Sequence, residues 1–541
     1  MKERFAFVLA IPIVVFCGHS CSNGARPVDE DAGTPDSGAE TSMRGWNLAW
    51  AVRAGGDEHN ETYPGTLGRE AGMALSAASD GSVYVAGCVA ETAIFGEGEA
   101  NETEFPDDIG WNDGFLARYE PDGALSWVRR IGGTDLATGE CATDVATLGD
   151  GSTVVVGRLD APEVVLGEDE PNETVLTSSS PFNAFVARYT PDGELVWALQ
   201  VPKSEESAMY GWNVHALPDG KILVSGSLWG IAWPDTETWI ASVPSDNPSE
   251  DFDGFLAWFD EDGSVLDAVR IGNDAQSFLS QSVDVTESGD VIVAAVYQGE
   301  ENFGIGEPNE TVLHCESSIW CSSLSRYDAE GQLQWARDLG IFSPSGSLRI
   351  AIMADGNIGL VARFASPSDP DDDGVFFDPH SDGYQDAWGA VVATYRAEDG
   401  EFIWARMGKN NDGNGYPMGA TVVAMPSGEL VVGFPFDYEL SFEGEDVGQR
   451  TLFSSGAMDI ALMSLSAIGE IQWMHSTGGV GGDDFSVAGG QLEGASIWFT
   501  GQYSSDPFFA TSGNDDEAAL PLDGFSDVFL MRFDSTNPPT E

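Results

Sequence analysis

The sequence predicts an all-β protein, a seven-bladed β-propeller with four antiparallel strands in each blade. Three observations support this fold class. The chain repeats with a nearly constant period, each repeat carries two hairpin patterns, and the two ends of the repeat array each supply part of one blade. A fixed repeat period indicates a repeat architecture, and four-stranded sheets that repeat around an axis form propellers.

The repeat is clearest in the second hairpin of each copy. Asp113–Trp127 reads DGFLARYEPDGALSW, and Asn183–Trp197 reads NAFVARYTPDGELVW. Alternating apolar and polar residues on both sides of a D-G turn are typical of a β-hairpin. Successive copies end 70, 70, 68, 69 and 69 residues apart, at Trp127, Trp197, Asp267, Trp335, Trp404 and Trp473.

Another hairpin pattern precedes this one in each repeat, as in 77–87 (AASDGSVYVAG) and 215–226 (HALPDGKILVSG). At the ends of the array, Trp46–Arg53 reads as a fourth strand with nothing before it. Asp527–Phe533 reads as a third strand with no fourth strand after it. We expect these two segments to pair, which would complete the seventh blade, close the ring and cover the sheet edges.

These repeats resemble the bacterial β-propeller repeat called SBBP over about 45–535, in the pattern D-x-F-x-A-R-Y-x-P-D-G-x-L-x-W and in the following strand. The resemblance implies an exported or surface protein and says little about activity. Asp267 replaces the repeated Trp, and Ser323 and Ala461 replace Phe, so we expect poorer packing in those blades. We interpret the repeated tryptophans as structural, with sugar stacking as the alternative.

The N-terminus predicts export. Lys2 and Arg4 precede an apolar run, Phe5–Cys17, that is too short to span a bilayer. Cys21 then follows a segment that resembles the lipobox of bacterial lipoproteins, although Gly18 stands where Leu is usual. We predict a lipidated Cys21 and an outer-membrane or cell-surface lipoprotein that touches the membrane only through its lipid anchor; secretion is the alternative. The predicted segments are a signal peptide (1–21), a disordered acidic tether (22–44), the propeller (45–535) and a short tail (536–541).

The four remaining cysteines predict two disulfides, because an exported chain folds in an oxidising compartment. Cys315 and Cys321 could staple one loop, and Cys88 and Cys141 would then tie one repeat to the next. Zinc binding is the alternative role for these cysteines, but the chain has no C-x-x-C pair.

The charge balance excludes several partners. Asp and Glu total 89 against 23 Lys and Arg, a formal net charge of −66. Such a surface repels nucleic acid and anionic lipid and attracts cations. We predict a monomer that does not bind nucleic acid, and calcium is the only candidate cofactor.

The segment DPDDDG at 369–374 begins like a calcium loop, with Asp at positions 1, 3 and 5 and Gly at position 6. The closing carboxylate falls at position 10, where a calcium loop does not place it. An acidic, solvated loop is therefore the alternative. The candidate calcium ligands are Asp369, Asp371, Asp373 and Asp378.

Three long connections share a motif that ends in N-E-T, at 95–103, 166–174 and 304–311. The motif is formally a glycosylation sequon. We interpret it as a turn at the tip of a small excursion. Contact with a metal or ligand through its glutamates is the third possibility, and these are Glu99, Glu170 and Glu307.

No catalytic motif stands out, because the chain lacks H-E-x-x-H, G-x-S-x-G and Walker A sequences. His215 lies on a predicted first strand near the axis, and we interpret it as a satisfied core histidine. We therefore predict a protein that is not an enzyme. It would bind an unknown protein, glycan or cation through the acidic face of its long loops. The alternatives are an extracellular hydrolase or lyase with a site over the central channel and a rigid spacer.

Overall fold

The computed structural model describes most of the predicted propeller, and every regular element in the described residues is a β-strand. No described helix is long and apolar enough to cross a membrane. The described residues are 43–56, 70–90, 92–105, 113–133, 139–159, 161–177, 183–201, 208–229, 231–232, 240–241, 252–272, 278–315, 320–342, 348–365, 388–410, 420–442, 450–480, 485–492, 495–513, 517–522 and 526–536.

The strands follow one another with short turns and small hairpin excursions. The first part of the chain contains β1 (Trp46–Gly55), β2 (Ala71–Ala77), β3 (Val83–Val89), β4 (Ile94–Phe95), β5 (Thr103–Glu104), β6 (Asp113–Tyr119), β7 (Leu125–Gly133), β8 (Cys141–Thr147), β9 (Thr153–Leu159), β10 (Glu163–Leu166), β11 (Thr174–Thr177), β12 (Asn183–Tyr189) and β13 (Leu195–Val201). The middle part contains β14 (Ala208–Ala216), β15 (Ile222–Trp229), β16 (Ile231–Ala232), β17 (Ile240–Ala241), β18 (Asp253–Phe259), β19 (Val265–Ile271), β20 (Phe278–Val285), β21 (Val291–Tyr297), β22 (Gly299–Phe303), β23 (Thr311–Cys315), β24 (Cys321–Tyr327) and β25 (Leu333–Phe342). The last part contains β26 (Arg349–Ile352), β27 (Ile358–Ala365), β28 (Trp388–Tyr395), β29 (Phe402–Asn410), β30 (Thr421–Ala424), β31 (Leu430–Phe442), β32 (Arg450–Leu465), β33 (Ile471–Gly479), β34 (Phe485–Leu492), β35 (Ser496–Tyr503), β36 (Phe508–Thr511), β37 (Glu517–Leu520) and β38 (Asp527–Ser535).

These strands form antiparallel units of four, as the paired hairpin patterns predict. The last unit takes three strands from the C-terminal end of the chain and β1 from the N-terminal end. In it, Trp46 pairs with Ser535 and Arg53 pairs with Phe529. The units are β2-β3-β6-β7, β8-β9-β12-β13, β14-β15-β18-β19, β20-β21-β24-β25, β26-β27-β28-β29, β30-β31-β32-β33 and β34-β35-β38-β1.

The core lies between neighbouring units. Tyr84 and Leu116 of one unit, for example, share an apolar cluster with Val145 and Phe185 of the next. Burying a large apolar side chain contributes roughly 1.5–3 kcal/mol. Both faces of each unit therefore have to be apolar, which explains the nearly continuous burial of second strands such as β3 and β21.

The first strands of successive units lie side by side, and side chains satisfy their free edges. The N–H of Thr147 donates to the Ser76 hydroxyl of the preceding unit at 3.0 Å. The N–H of Ile352 donates in the same way to the Asp284 carboxylate at 2.7 Å. Unpaired edge N–H groups are costly when buried, so polar residues on these inner strands contribute directly to the seam between units.

The repeated tryptophans also join neighbouring units, through a contact that we call the tryptophan latch. The indole N–H donates to a main-chain carbonyl in the hairpin turn of the next unit, and the turn glycine lies against the ring. A Cβ on Gly123, for example, would lie 2.9 Å from Trp50. The latch pairs and their distances are Trp50–Pro121 (3.0 Å), Trp127–Pro191 (2.9 Å), Trp197–Glu261 (2.9 Å), Trp335–Ala397 (3.1 Å) and Trp404–Ala467 (2.8 Å).

The replacements in the repeat have different consequences. Asp267 is exposed and carries no indole, but Trp258 of the same unit is only 4% exposed. A Cβ on the turn glycine of the next unit, Gly331, would lie 3.0 Å from this Trp258 ring. Trp258 thus partly fills the space that Asp267 leaves. The Ser323 hydroxyl is buried and has no hydrogen-bond partner among the described residues, which costs stability. The poorer packing expected at Ser323 and Ala461 stays a prediction.

Both predicted disulfides are present. Cys88 on β3 is bonded to Cys141 on β8, with Cα atoms 4.9 Å apart, and so ties one unit to the next. Cys315 and Cys321, with Cα atoms 5.8 Å apart, staple the connection between β23 and β24. The prediction of two disulfides with these partners is therefore confirmed.

Candidate functional site

Several predicted site residues lie outside the described residues. These include Cys21 with the whole N-terminal segment, and the candidate calcium ligands Asp369, Asp371, Asp373 and Asp378. Within the part of the chain that the structure describes, His, Cys, Asp and Glu side chains form no group of three that could hold a metal ion. Lipidation at Cys21 and calcium at 369–378 therefore stay predictions.

The N-E-T motif forms tight turns that hold the outermost strand of a unit. In the second copy, the Glu170 carboxylate accepts the N–H of Leu195 at 2.5 Å. The Asn172 amide donates to the carbonyl of the same Leu195 at 3.0 Å. The Thr174 hydroxyl donates back to the Asn172 carbonyl at 3.0 Å and completes the turn. The turn interpretation is therefore the one that the structure supports.

We call this arrangement, in which the Glu and Asn of the motif hold the main chain of one leucine on the outermost strand, the clamp. The other two copies repeat it. Glu99 and Asn101 hold Leu125, at 2.7 and 3.1 Å, and Glu307 and Asn309 hold Leu333, at 2.6 and 3.0 Å. Two of the three clamp hairpins also pair with the preceding unit, since β4 pairs with β1 and β10 with β7, whereas β22 and β23 pair only with each other. The repeated spacing of the motif therefore serves the scaffold.

Polar groups instead converge on the first strands, in a set that we call the axial cluster: Asp144 on β8, His215 on β14 and Arg349 on β26. Asp144 accepts the N–H of Val145 at 2.9 Å and the N–H of Val214, in the next unit, at 2.8 Å. This double contact fixes the carboxylate beside His215. All three side chains belong to residues that are partly exposed.

The interpretation of His215 as a satisfied core histidine is wrong. Its Nε2 atom is buried and has no hydrogen-bond partner among the described residues. The neighbouring Asp144 carboxylate is engaged by main-chain N–H groups and does not hydrogen-bond to the imidazole. Because an unsatisfied buried ring nitrogen is costly, this nitrogen would gain from a hydrogen bond that no described residue provides.

Arg349 is held at one end only. Its Nη1 donates to the carbonyls of Gln281 and Leu348, each at 3.1 Å. Gln281 is the extra residue of a β-bulge between Ser280 and Ser282, where the register of the strand pair shifts. No described residue accepts a hydrogen bond from Nε or Nη2 of Arg349 or forms an ion pair with it.

Electrostatic interactions connect the three groups. Burial raises the pKa of Asp144 above its ordinary value, while His215, two main-chain N–H groups and Arg349 act in the opposite direction. Burial likewise lowers the pKa of Arg349, and Asp144 opposes this shift. Each group therefore acts on another that comes from a different unit.

Sequence reasoning missed Asp144 and Arg349. The signal that could have found them is a charged residue at one position of the first strand that other copies fill with a neutral residue, Ala, Asn, Ser or Thr. Asp284 on β20 also accepts two main-chain N–H groups, those of Val285 and Ile352, but it stands two residues further along its strand.

No family model matches the chain. The chain is similar to the regulatory protein FlaEY of Caulobacter vibrioides, with 30% identity over 246 residues. The aligned segment covers 44% of this chain and 23% of that protein. The similarity thus spans less than a quarter of the relative's length.

Solved structures resemble the chain at low TM-scores. A protein of unknown function from Dyadobacter fermentans has a TM-score of 0.39 and 12% identity, and covers 91% of this chain and 100% of its own. Hydrazine synthase of Kuenenia stuttgartiensis has a TM-score of 0.38 and 10% identity, with 86% and 98% covered. Quinohemoprotein alcohol dehydrogenase of Comamonas testosteroni has a TM-score of 0.38 and 8% identity, with 92% and 78% covered. Similarities at this level assign no activity.

Proposed function

We propose that the chain is an exported seven-bladed β-propeller of the SBBP type that acts as a non-catalytic binding module, with its ligand site at the axial cluster. The four-stranded units and the pairing of β1 with β38 support a ring of seven blades. Two disulfides support an oxidising, extracellular setting. The lipid anchor at Cys21 and a monomeric state belong to the same proposal.

The observation that carries the proposal is the unused hydrogen-bonding capacity of His215 and Arg349. Binding sites commonly place a few convergent polar groups inside a rigid concave scaffold. The axial cluster therefore replaces the long-loop face as our candidate, because three of those loops spend their Glu and Asn side chains on clamps.

The arrangement favours binding over catalysis. A general acid or base has to exchange its proton with a substrate, whereas the Asp144 carboxylate is fixed by two main-chain N–H groups. A carboxylate held in this way serves better as a structural acceptor. The hydrolase or lyase alternative would use the same space and would require a substrate that displaces these contacts.

Thermal unfolding of the purified protein tests the axial location. We expect at least one ligand in a panel of acetate, phosphate and neutral sugars to raise the melting temperature, since a ligand at a hundredfold excess over its Kd adds about 2.7 kcal/mol to stability. His215→Ala should abolish the shift. His314→Ala is the matched control, because His314 is a surface histidine that pairs with Glu300 at 3.4 Å.

Two results would overturn this location. One is the absence of any shift across the panel, and the other is an equal shift in the His215 and His314 variants.

Export is tested separately, by labelling with a fatty acid and membrane fractionation. Cys21→Ser should release the protein from the membrane fraction, and retention of that variant in the membrane would contradict the anchor.

A further inference from the structure

We propose that the axial cluster binds a small oxyanion, of the carboxylate or phosphate class, with Arg349 as the anchoring residue. This inference rests on the proposed function and names the ligand class for that site. It follows from which donors of the guanidinium are used, from the lack of a carboxylate partner, and from the position of His215.

The used and unused donors of Arg349 lie on different edges of the guanidinium group. Arginine has five N–H donors in a planar fork. The two on Nη1 are taken by the carbonyls of Gln281 and Leu348. The remaining Nε–Nη2 edge carries two parallel donors, which is the geometry that binds a carboxylate or phosphate through two oxygens at once. The fold therefore holds the group by its other end and presents this edge.

Arg349 also differs from the repeat arginines on third strands. Arg188 is paired with the Asp150 carboxylate at 2.8 Å, and Arg118 with Asp80 at 2.7 Å. Burial would raise the pKa of Asp150, but hydrogen bonds from Ser152 and the charge of Arg188 hold it below its ordinary value. These arginines are thus neutralised within the protein.

Arg349 has no such carboxylate partner within 4.0 Å among the described residues, in a chain with 89 acidic residues. Burial lowers the pKa of Arg349, so a further negative charge would stabilise its charged form. The nearest electrostatic partner, Asp144, is directed to main-chain N–H groups instead. An oxyanion on the Nε–Nη2 edge would supply a counter-charge in direct hydrogen-bond contact.

His215 supplies the second point of contact. Its imidazole interacts electrostatically with the same Asp144 that interacts with Arg349, and its buried Nε2 is unsatisfied. An N–H on this nitrogen would donate to an oxyanion, and a neutral imidazole would accept from a ligand hydroxyl. The cluster is therefore suited to a small acid more than to a neutral sugar.

The test compares oxyanions with chloride at equal ionic strength, on the full-length purified protein. We expect acetate or inorganic phosphate to raise the melting temperature above the chloride reference. The salt that gives the larger rise shows whether the site prefers a carboxylate or a phosphate. Arg349→Met should abolish the difference. Arg349→Lys keeps the charge but loses the two-donor edge, so we expect binding by calorimetry to be about tenfold weaker.

Arg337→Met is the matched control. Arg337 lies on the outermost strand β25, and its Nη1 donates to the Ala336 carbonyl at 3.3 Å. This variant should keep the full oxyanion response. If Arg349→Met does not fold, the comparison of Arg349→Lys with Arg337→Lys decides the question.

Three results would overturn the inference. The first is no oxyanion effect in the wild-type protein, and the second is an unchanged effect in the Arg349 variants. The third is an equal loss in the Arg337 control. A melting shift from a neutral sugar that His215→Ala abolishes, but from no oxyanion, would reject this ligand class and leave the axial binding site standing, whereas no shift from any of these salts or sugars would reject both.

Discussion

Two glycines in one clamp hairpin allow a direct measurement of how tightly the hairpin fits. Gly304 and Gly306 both have left-handed backbone conformations, with φ of +65° and +80°. A Cβ on Gly304 would lie 2.8 Å from both Cβ and Cδ2 of Leu333, whereas a Cβ on Gly306 would have no atom within 4 Å. Alanine at either position has the same cost of adopting a left-handed backbone conformation. Only Gly304→Ala also places its Cβ against a packed side chain.

The expected cost follows from these two terms. The left-handed conformation costs about 1 kcal/mol for alanine. The lower entropy of the unfolded alanine chain offsets part of this cost. Carbon atoms at 2.8 Å are well inside their usual separation, and overpacking of this kind costs about 1–3 kcal/mol. Leu333 cannot easily move, because it is only 1% exposed and its N–H is held by Glu307 at 2.6 Å. We expect Gly304→Ala to be about 2 kcal/mol less stable than Gly306→Ala.

Denaturant unfolding followed by tryptophan fluorescence measures this difference as a shift in midpoint at an unchanged slope. Gly167→Ala should behave like Gly304→Ala, because its Cβ would lie 2.8 Å from Leu195, and Gly98→Ala should behave like Gly306→Ala. Equal midpoints for the Gly304 and Gly306 variants would refute the clamp as a close-fitting contact.

Three further predictions concern the disulfide between units, the axial carboxylate and the calcium loop. Replacing both Cys88 and Cys141 with Ser should lower the free energy of unfolding by about 4 kcal/mol, the chain-entropy value for a separation of 53 residues; an unchanged denaturation midpoint would contradict this. The pKa of Asp150 is lowered in the folded state and that of Asp144 is raised. The stability that Asp150 contributes to the folded state is therefore present above its unfolded pKa and is lost as the pH falls through its folded pKa. The stability that Asp144 contributes is present below its unfolded pKa and is lost as the pH rises through its folded pKa. From pH 3 to 6 the stability deficit of Asp150→Asn should grow and that of Asp144→Asn should shrink, and parallel pH curves would count against both assignments. Millimolar calcium should raise the melting temperature in a way that Asp371→Ala abolishes, and a melt that does not respond to calcium would remove the loop as a metal site.

The sequence predicts what a single repeat contains. Alternation and D-G turns mark the strands, and the incomplete segments with Trp46 and Phe529 predict which ends pair. Cysteine number and compartment predict the disulfides. Each of these properties is local or is repeated, so it can be recognised without knowing how the units are arranged.

The contacts between units are harder to predict. The clamp joins Glu170 to a residue 25 positions ahead, and only the recurrence of this offset in the other copies, at 26 positions, would reveal it. The axial cluster has no such recurrence. Asp144, His215 and Arg349 stand in three different repeats, and they interact only because the first strands of neighbouring repeats lie side by side.

The tryptophan latch has a consequence for how the chain is assembled. Trp50 lies on β1, which completes the last unit, yet it donates its indole N–H to Pro121 in the first unit to be synthesised. The N-terminal strand can thus dock on its forward neighbour long before its own partner β38 leaves the ribosome. When β38 is added, the Nη1 of its Arg532 donates a hydrogen bond to the same carbonyl at 2.6 Å. Vectorial synthesis would therefore end with the last strand adding to a prepositioned edge, without a search between distant chain ends.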